Sequence, residues 1–452
     1  MRGLLVVACM AVPACSPTPF TQVYDTVGQS AGLSAQSLQD VAFAARAAPV
    51  YDGGFVVADW SDDAPGSQRL MVRRTSSSGA TLWEHEVTEI EASPGIYGVR
   101  ETSAGDFLVW GYFGTVAVAN DAFVVKVASN GDAVWTKTFG GPGLDYGFRL
   151  VENAGGYVFA GATNSSGAGD FDTWVVHLDA NGNQVAAETF GGTGDDEAID
   201  MVATSDGGFA VVAQNPSAAP TLGQMQVLRY TSGGSLAWNV SVGTPGKTST
   251  PGAVAATADG GVVVSGSEYT PGPLETTSIG RLFKLSSTGA VEWHADSPGG
   301  MRTIGGAVVL ASDGTIVQGR TALSPLLGPS QGSLTRYSAT GTELASQSWQ
   351  LDQPFGGNWL ANTLVPTSDG GLALMSMSFD DGVWHEYEAI KVNAALEREW
   401  TIPWNGDPGE SYLNPTLDGW FVVSGWPPEP YAPDGHTWLV RPGADGTVVP
   451  PS

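Results

Sequence analysis

The sequence predicts an all-β protein built from eight similar four-stranded sheets, and three observations support this prediction. A turn motif rich in Asp and Gly recurs eight times, at intervals of 49 to 56 residues. The composition, with 61 Gly, 28 Pro and only 14% charged residues, suits short strands joined by tight turns. The segments between the turns are short, apolar and rich in β-branched residues. Because one such unit cannot bury both of its faces, we expect an eight-bladed β-propeller of four-stranded antiparallel blades, with seven blades as the alternative.

The N-terminal residues predict export from the cytoplasm. The apolar run over residues 3–14 follows a basic residue and is too short to span a bilayer, as in a signal peptide. Residues 12–15, Val-Pro-Ala-Cys, resemble a bacterial lipobox, which implies acylation of Cys15. The proline departs from the usual lipobox, so ordinary signal cleavage in the same region is the alternative. Both cysteines of the chain lie within residues 1–15, so the folded part has no disulfide.

The rest of the chain divides into a tether and one repeat domain. Residues 16–35 are rich in Ser, Thr, Pro and Gly and predict a flexible tether. Residues 36–452 predict a single propeller of eight repeats. No later apolar stretch is long enough to span a bilayer, so we expect membrane contact only through the lipid anchor. The predicted location is the outer membrane or cell surface, with the periplasm or the medium as alternatives.

Each repeat begins at a recognisable turn that precedes an apolar strand. The turns are DGGF at Asp52, AGDF at Ala104, AGGY at Ala154, DGGF at Asp206, DGGV at Asp259, DGTI at Asp313, DGGL at Asp369 and DGWF at Asp418. The third repeat shows the layout, with predicted strands at residues 147–154, 155–163, 172–180 and 183–190. The last repeat ends in a weak segment at 447–450, and residues 20–25 are a candidate strand to close the ring there.

A second motif places a tryptophan four residues after the glycine of the turn between the third and fourth strands. It supplies Trp83, Trp135, Trp238 and Trp293, while Trp400 keeps the ring without the glycine. We interpret these five rings as structural wedges between blades. Ala186 and Ala345 occupy the same position in the third and sixth repeats.

The Gly-x-x-x-Trp pattern, clearest in LSSTGAVEW at residues 285–293, resembles the tryptophan-docking repeat of quinoprotein alcohol dehydrogenase-like propellers. The segment TFGGTGDDEA at 189–198 also resembles repeats of bacterial secreted propellers. This resemblance implies an eight-bladed fold. Some members of that superfamily bind pyrroloquinoline quinone beside two adjacent cysteines, which the folded part lacks, so we do not expect this cofactor. Other members are non-catalytic outer-membrane assembly lipoproteins, which the chain resembles in its anchor.

The four-stranded repeat predicts two unlike faces. Turns between strands one and two and between strands three and four share one face, here named the turn face. Its Asp-Gly and Asn-Gly pairs predict tight hairpins, with the aspartates as turn formers. Loops between strands two and three and connections between blades share the other, here named the loop face. These loops are longer and more varied, so binding is expected there.

Carboxylates concentrate in the predicted loop face. The candidate binding or metal ligands are Asp145, Asp170, Asp172, Asp195, Asp196, Glu197, Asp380 and Asp381. Oxygen-rich loops of this kind suit Ca²⁺, which takes six to eight oxygen ligands. Solvated carboxylates, or carboxylates that bind backbone amides, are the simpler interpretation.

The composition and motifs restrict the function. A net charge of −27 disfavours nucleic acid as a partner. The five histidines show no metal-ligand spacing, and no catalytic residue is predicted. The leading hypothesis is a monomeric, non-catalytic propeller of the cell envelope that binds an extracellular protein or a glycan through its loop face. The alternatives are a hydrolase or lyase acting on extracellular polymer, and a scaffold stabilised by Ca²⁺.

Overall fold

The computed structural model contains only β-strands, turns and loops in the part of the chain that it describes. The described residues are 23–24, 47–60, 69–77, 80–90, 95–115, 119–215, 223–270, 278–297, 302–323, 331–350, 359–380, 383–404, 412–415, 421–425, 438–440 and 444–445. Cys15, the tether over 16–35 except residues 23–24, and the weak segment 447–450 lie outside them.

The strands of the first half follow the predicted repeat closely. In chain order they are β1 Val23–Tyr24, β2 Ala47–Val50, β3 Gly54–Trp60, β4 Leu70–Thr75, β5 Thr81–Val87, β6 Gly95–Glu101, β7 Phe107–Thr115, β8 Ala119–Val127, β9 Ala133–Phe139, β10 Asp145–Asn153, β11 Gly156–Thr163, β12 Asp172–Asp179, β13 Gln184–Phe190, β14 Glu197–Ala203, β15 Phe209–Asn215 and β16 Gln224–Tyr230.

The second half continues the same order of strands. It comprises β17 Leu236–Val242, β18 Thr248–Ala256, β19 Val262–Tyr269, β20 Ser278–Leu285, β21 Val291–Asp296, β22 Arg302–Leu310, β23 Ile316–Leu323, β24 Gln331–Tyr337, β25 Glu343–Gln350, β26 Trp359–Pro366, β27 Leu372–Asp380, β28 Val383–Val392, β29 Arg398–Trp404, β30 Tyr412–Pro415, β31 Phe421–Gly425 and β32 Trp438–Val440.

These strands form a β-propeller. Seven sheets are four-stranded and antiparallel throughout, and they are numbered 1 to 7 from β2–β5 to β26–β29. This number matches the seven-blade alternative. An eighth sheet departs from the predicted antiparallel blade, because β1 pairs in parallel with β32 beside β31 and β30. The first strands of neighbouring sheets lie against one another around the ring, including β30 against β2.

Burial falls from the middle of each sheet to its outer edge. In sheet 3, every residue of β11 after Gly156 is buried, and β12 is buried up to its last residue, whereas β13 is largely exposed. Apolar side chains of neighbouring sheets meet in shared clusters, such as the one that joins Val72 of sheet 1 to Phe123 of sheet 2. A strand sandwiched between two sheets must be apolar on both faces, which explains why the second strands do not alternate. No helix among the described residues has the length and apolar character needed to cross a membrane.

Candidate binding face

Aspartates of the turn face bind cations that are buried or, for Lys126, half-buried. The first-turn aspartates of the repeats pair with Arg or Lys near the end of the third strand of the same sheet. The pairs are Asp52–Arg74, Asp106–Lys126, Asp206–Arg229, Asp259–Lys284, Asp313–Arg336 and Asp369–Lys391. These aspartates therefore have a second role in addition to the predicted one of forming the turns. Each also neutralises a cation beneath the turn, because a charge removed from water needs a partner.

Two of these aspartates remain ionised to unusually low pH. Burial alone would raise the pKa of Asp206, but hydrogen bonds from Thr204 and Arg229 outweigh it and lower the pKa to about 2. The pKa of Asp259 is also about 2, since Thr257 and Lys284 outweigh its burial in the same way. The turn face is therefore a fixed set of short, charge-paired turns, which leaves little of it free to adapt to a partner.

Tryptophans connect consecutive sheets at the turn face. Trp83 of sheet 1 donates from Nε1 to the carbonyl of Ser129 in sheet 2, at 3.0 Å. A Cβ atom built on Gly131 would lie 2.9 Å from the same ring. Gly131 has a φ of +95°, so it provides both the turn conformation and the space for the ring. The same geometry recurs for Trp238 with Ser287 and Gly289, and for Trp293 with Ala339 and Gly341. Trp135 packs on Gly182 in the same way, but its Nε1 has no hydrogen-bond partner among the described residues.

The two joints without tryptophan use other side chains. In sheet 3, Ala186 faces His177 across the strand pair, and the imidazole of His177 lies below Gly234 of sheet 4, 3.1 Å from a Cβ built there. Burial lowers the pKa of His177, with Glu188 opposing this shift. In sheet 6, the small Ala345 occupies the tryptophan position. The turn between β28 and β29 of sheet 7 carries Leu396 where the corresponding turns have glycine. Leu396 is buried and has a φ of +67°.

The loop face contains the predicted carboxylates of the first half, and three of them are buried. Asp145 accepts hydrogen bonds from the Gly141 amide at 2.9 Å, from the Ser165 hydroxyl at 2.6 Å and from Thr163. Asp172 accepts from the Ala168 amide at 2.6 Å. Both ends of the loop between β11 and β12 are thus held by carboxylates.

Asp196 completes this arrangement from the next sheet. Its carboxylate accepts from the Gly192 amide at 2.7 Å, and its own amide donates to the Phe171 carbonyl at 2.7 Å. Asp172 and Asp196 approach the same glycine, Gly191, from two sides. Asp121 and Asp145 approach Gly140 in the same way one sheet earlier, and the pKa of Asp121 is raised by burial and by Asp145. The structure therefore brings Asp172 and Asp196 together at Gly191, and all of Asp145, Asp172 and Asp196 are buried supports of the loops.

The remaining predicted carboxylates of this region face the solvent. Asp170 and Asp195 are exposed and lie on either side of the Phe171–Asp196 hydrogen bond. Glu197 is half-buried at the start of β14, and its pKa is raised by burial and by the nearby Asp195. Among the predicted carboxylates whose side chains are described, these three are the ones that a partner can reach.

An aromatic patch lies beside these exposed carboxylates. It consists of five half-buried rings, those of Tyr97, Tyr112, Tyr146, Phe148 and Phe171. Tyr97 and Phe148 meet edge to face at 5.1 Å between ring centroids, as do Tyr112 and Tyr146. Tyr146 stacks on Phe148 at 5.8 Å and contacts Phe171 at 6.0 Å. The patch spans sheets 2 and 3 and ends at Phe171, next to the exposed Asp170 in the sequence.

Local sequence explains how this patch forms. The ring of Tyr112 lies across the backbone of Gly95, where any Cβ atom would collide with it. The Asn120 amide donates to the Tyr146 hydroxyl at 3.1 Å and fixes that ring. The sequence analysis did not predict this patch, because aromatic residues near strand ends look the same in the sequence whether they fill a core or face a loop.

Other features were also missed, although the sequence carried signals for them. In repeats one to seven, an Arg, Lys or His stands nine residues before the position of the motif tryptophan, as in Arg74 before Trp83 and Lys391 before Trp400. The segments FGGPGLD and FGGTGDD, ending at Asp145 and Asp196, repeat the glycine-rich loop that each carboxylate closes.

Within the described ranges, no three His, Cys, Asp or Glu side chains are grouped as a metal site requires. The structure therefore shows no ligand set for Ca²⁺ in those ranges. Asp380 is the last residue of β27, and its side chain is not described. Asp381 lies outside the described residues. Metal binding at this second acidic loop therefore stays a prediction.

Comparisons with known proteins agree with the fold. Sqt1 from Chaetomium thermophilum is similar over 90% of this chain and 98% of its own, with 12% identity and a TM-score of 0.52. An ulvan lyase of a polysaccharide lyase family is similar over 92% and 97%, at 9% identity and a TM-score of 0.41. A puromycin hydrolase is similar over 90% and 62%, at 14% identity and a TM-score of 0.40.

No family model matches the chain, and no curated protein matches it by sequence. The similarity to Sqt1, at 12% identity, concerns the propeller fold alone.

Proposed function

We propose that this protein is a non-catalytic propeller of the cell envelope that binds an extracellular protein or glycan through its loop face. The observation that carries this proposal is the aromatic patch on the loop face, whose five half-buried rings adjoin exposed carboxylates. Binding sites commonly combine an aromatic surface with a few placed polar groups. At the turn face, by contrast, the described first-turn carboxylates such as Asp206 and Asp369 are paired with buried cations.

The rigid support of the patch also favours binding. Asp145, Asp172 and Asp196 hold the loop around Phe171 with hydrogen bonds to backbone amides and hydroxyls. A surface that is ordered before its partner arrives loses less conformational entropy on binding. We include in the proposal that the chain is an exported lipoprotein acylated at Cys15 and is related to the tryptophan-docking propellers.

A matched pair of variants tests the proposed face. The loop-face variant is Asp170→Asn with Phe171→Ala. The turn-face control is Asp132→Asn with Val134→Ala, which removes an exposed carboxylate and an exposed apolar side chain. The processed protein is probed with arrays of envelope oligosaccharides and of peptides. We expect binding that the loop-face variant loses and the control keeps.

The opposite pattern would move the binding surface to the turn face and contradict the proposal. The same oligosaccharides and longer polymers are incubated with the protein and analysed by size. Cleavage products that the protein generates would replace the binding function with the hydrolase or lyase alternative.

A further inference from the structure

We infer that the aromatic patch binds a protein segment that carries Arg or Lys side chains. This inference rests on the proposed function and specifies the chemistry of the partner. It starts from the aromatic patch itself, because the π faces of Tyr and Phe attract cations, and most strongly where water is partly excluded. All five rings are half-buried, so a cation bound against them would be partly removed from water, which strengthens such contacts relative to fully exposed rings.

The charge around the patch selects a cation over other partners. The segments that form the loop face here are residues 119–121, 140–147, 163–172 and 190–197. They contain seven carboxyl side chains and no Lys, Arg or His; the seven are Asp121, Asp145, Asp170, Asp172, Asp195, Asp196 and Glu197. The basic residue nearest in sequence, Arg149, is paired with Asp200 at 3.1 Å. Asp170 and Asp195 of this set are exposed, and an acidic surface attracts cationic groups and repels phosphates and acidic glycans.

The geometry places the two kinds of contact next to each other. Phe171 lies at the end of the patch, and the hydrogen bond from the Asp196 amide to its carbonyl sets exposed Asp170 and Asp195 on either side. A guanidinium or ammonium group above Phe171 and Tyr146 can therefore be within reach of a carboxylate. The buried carboxylates of this region already accept hydrogen bonds from the backbone, whereas Asp170 and Asp195 are exposed, so these two are the ones accessible for pairing.

The inference goes beyond a generally acidic surface, because a net charge of −27 attracts any cation weakly and everywhere. A patch that recognises Arg or Lys must depend on its aromatic rings as well as its charge. The ring contribution persists at high salt, whereas the pairing of exposed charges is screened. Measuring the salt dependence of binding and the effect of replacing a ring therefore distinguishes binding by the aromatic patch from nonspecific attraction to an acidic surface.

The test uses three fluorescent twelve-residue peptides of one Gly-Ser framework, with four positions occupied by Arg, by Gln or by Glu. Fluorescence anisotropy with the processed protein gives the dissociation constants at low and high salt. We expect the Arg peptide to bind at least about tenfold more tightly than the Gln peptide, and the Glu peptide to be weakest.

Substitutions assign the contacts. The double substitution Asp170→Asn with Asp195→Asn is expected to lower the affinity for the Arg peptide about tenfold. The control Asp132→Asn with Glu343→Gln removes the same charge from exposed positions at the turn face and is expected to change affinity less than twofold. Phe171→Leu keeps an apolar side chain but removes the ring, so it is expected to lower the affinity that remains at high salt. Circular dichroism verifies the fold of each variant.

Equal losses in the two double variants, or equal binding of the Arg and Gln peptides, would overturn the inference. An oligosaccharide that binds the loop face while the Arg peptide does not would also overturn it, and would leave the proposed function intact. Loss of every ligand from the turn-face variant alone would contradict the proposed function instead.

Discussion

The buried cations of the turn face show how single residues set the stability of a blade. Lys391 is fully buried, and its ammonium lies 2.8 Å from Asp369 and 2.9 Å from Glu399, both of which reach solvent. The three members are therefore unequal. A carboxylate that loses its partner returns to water, whereas the lysine cannot.

This asymmetry predicts that removing the carboxylates destabilises the protein more than removing the lysine. Lys391→Met keeps much of the side-chain volume and is expected to lower the free energy of unfolding by about 1 kcal/mol or less. Asp369→Asn with Glu399→Gln leaves the ammonium buried without a carboxylate, so a larger loss of about 3 kcal/mol is expected. Urea unfolding at neutral pH measures both, and equal losses would contradict the argument.

The low pKa values at the turn face predict acid sensitivity over a defined range. The pKa of Asp206 is about 2 in the folded chain and near 4 when unfolded, so the folded state binds fewer protons between these values. Its contribution to stability is complete above pH 4 and disappears as the pH falls towards 2. Asp259 behaves in the same way.

We therefore expect the unfolding midpoint in urea to decrease as the pH is lowered from 4 to 2. Asp206→Asn should reduce the slope in that range, because the substituted amide no longer titrates. A slope identical to that of the unsubstituted protein would show that the Arg229 pair does not contribute.

At the scale of elements, the joints between sheets are complementary pairs of a large and a small residue. A tryptophan on one sheet faces a glycine on the next, as in Trp293 and Gly341. In the sixth joint the sizes are exchanged, since Ala345 occupies the tryptophan position and Leu396 the glycine position, within one apolar cluster. Leu396 accepts an unfavourable positive φ because burial of its side chain compensates for it.

This exchange predicts a compensating pair of substitutions. Ala345→Trp alone should collide with Leu396 and lower the free energy of unfolding by about 2 kcal/mol. Leu396→Gly alone removes a buried side chain and should cost about 3 kcal/mol, partly offset by relief of the positive φ. The double variant recreates the Trp–Gly joint, so its loss should be smaller than the sum of the two. Additive losses in thermal and urea unfolding would disprove the complementarity.

At the scale of the whole molecule, the ring is closed by a strand from the other end of the chain. Val23 and Tyr24 pair in parallel with Leu439 and Val440, which supplies the fourth strand of the eighth sheet. The sequence had selected residues 20–25 for this closure. Closure protects the edge of β32 and ties the first and last residues of the propeller together.

Closure can be tested at one backbone position. Tyr24→Pro removes an amide and restricts the strand, whereas Tyr24→Thr keeps both the amide and a good strand former. We expect the proline variant to unfold at a temperature several degrees lower than the threonine variant, with earlier proteolysis near the chain ends. Identical unfolding of the two would show that the pairing adds no stability.

The sequence by itself determined the repeat, the four-strand order, the turn positions and the difference between the two faces. These features follow from local chemistry, because Asp-Gly turns and apolar β-branched runs specify strands wherever they occur. It also selected the acidic residues of the loop face. It did not determine that Asp145, Asp172 and Asp196 are buried supports while Asp170 and Asp195 are exposed, since all five are alike in the sequence.

Only the tertiary structure decided which residues meet across sheets. The aromatic patch draws Tyr97 and Phe148 from strands about fifty residues apart, and His177 replaces a tryptophan only because Gly234 of the next sheet lies above it. Such contacts depend on how neighbouring sheets stack around the ring, and no local pattern encodes that geometry. The repeat could be predicted because it is encoded locally. The aromatic patch could not, because it forms between repeats.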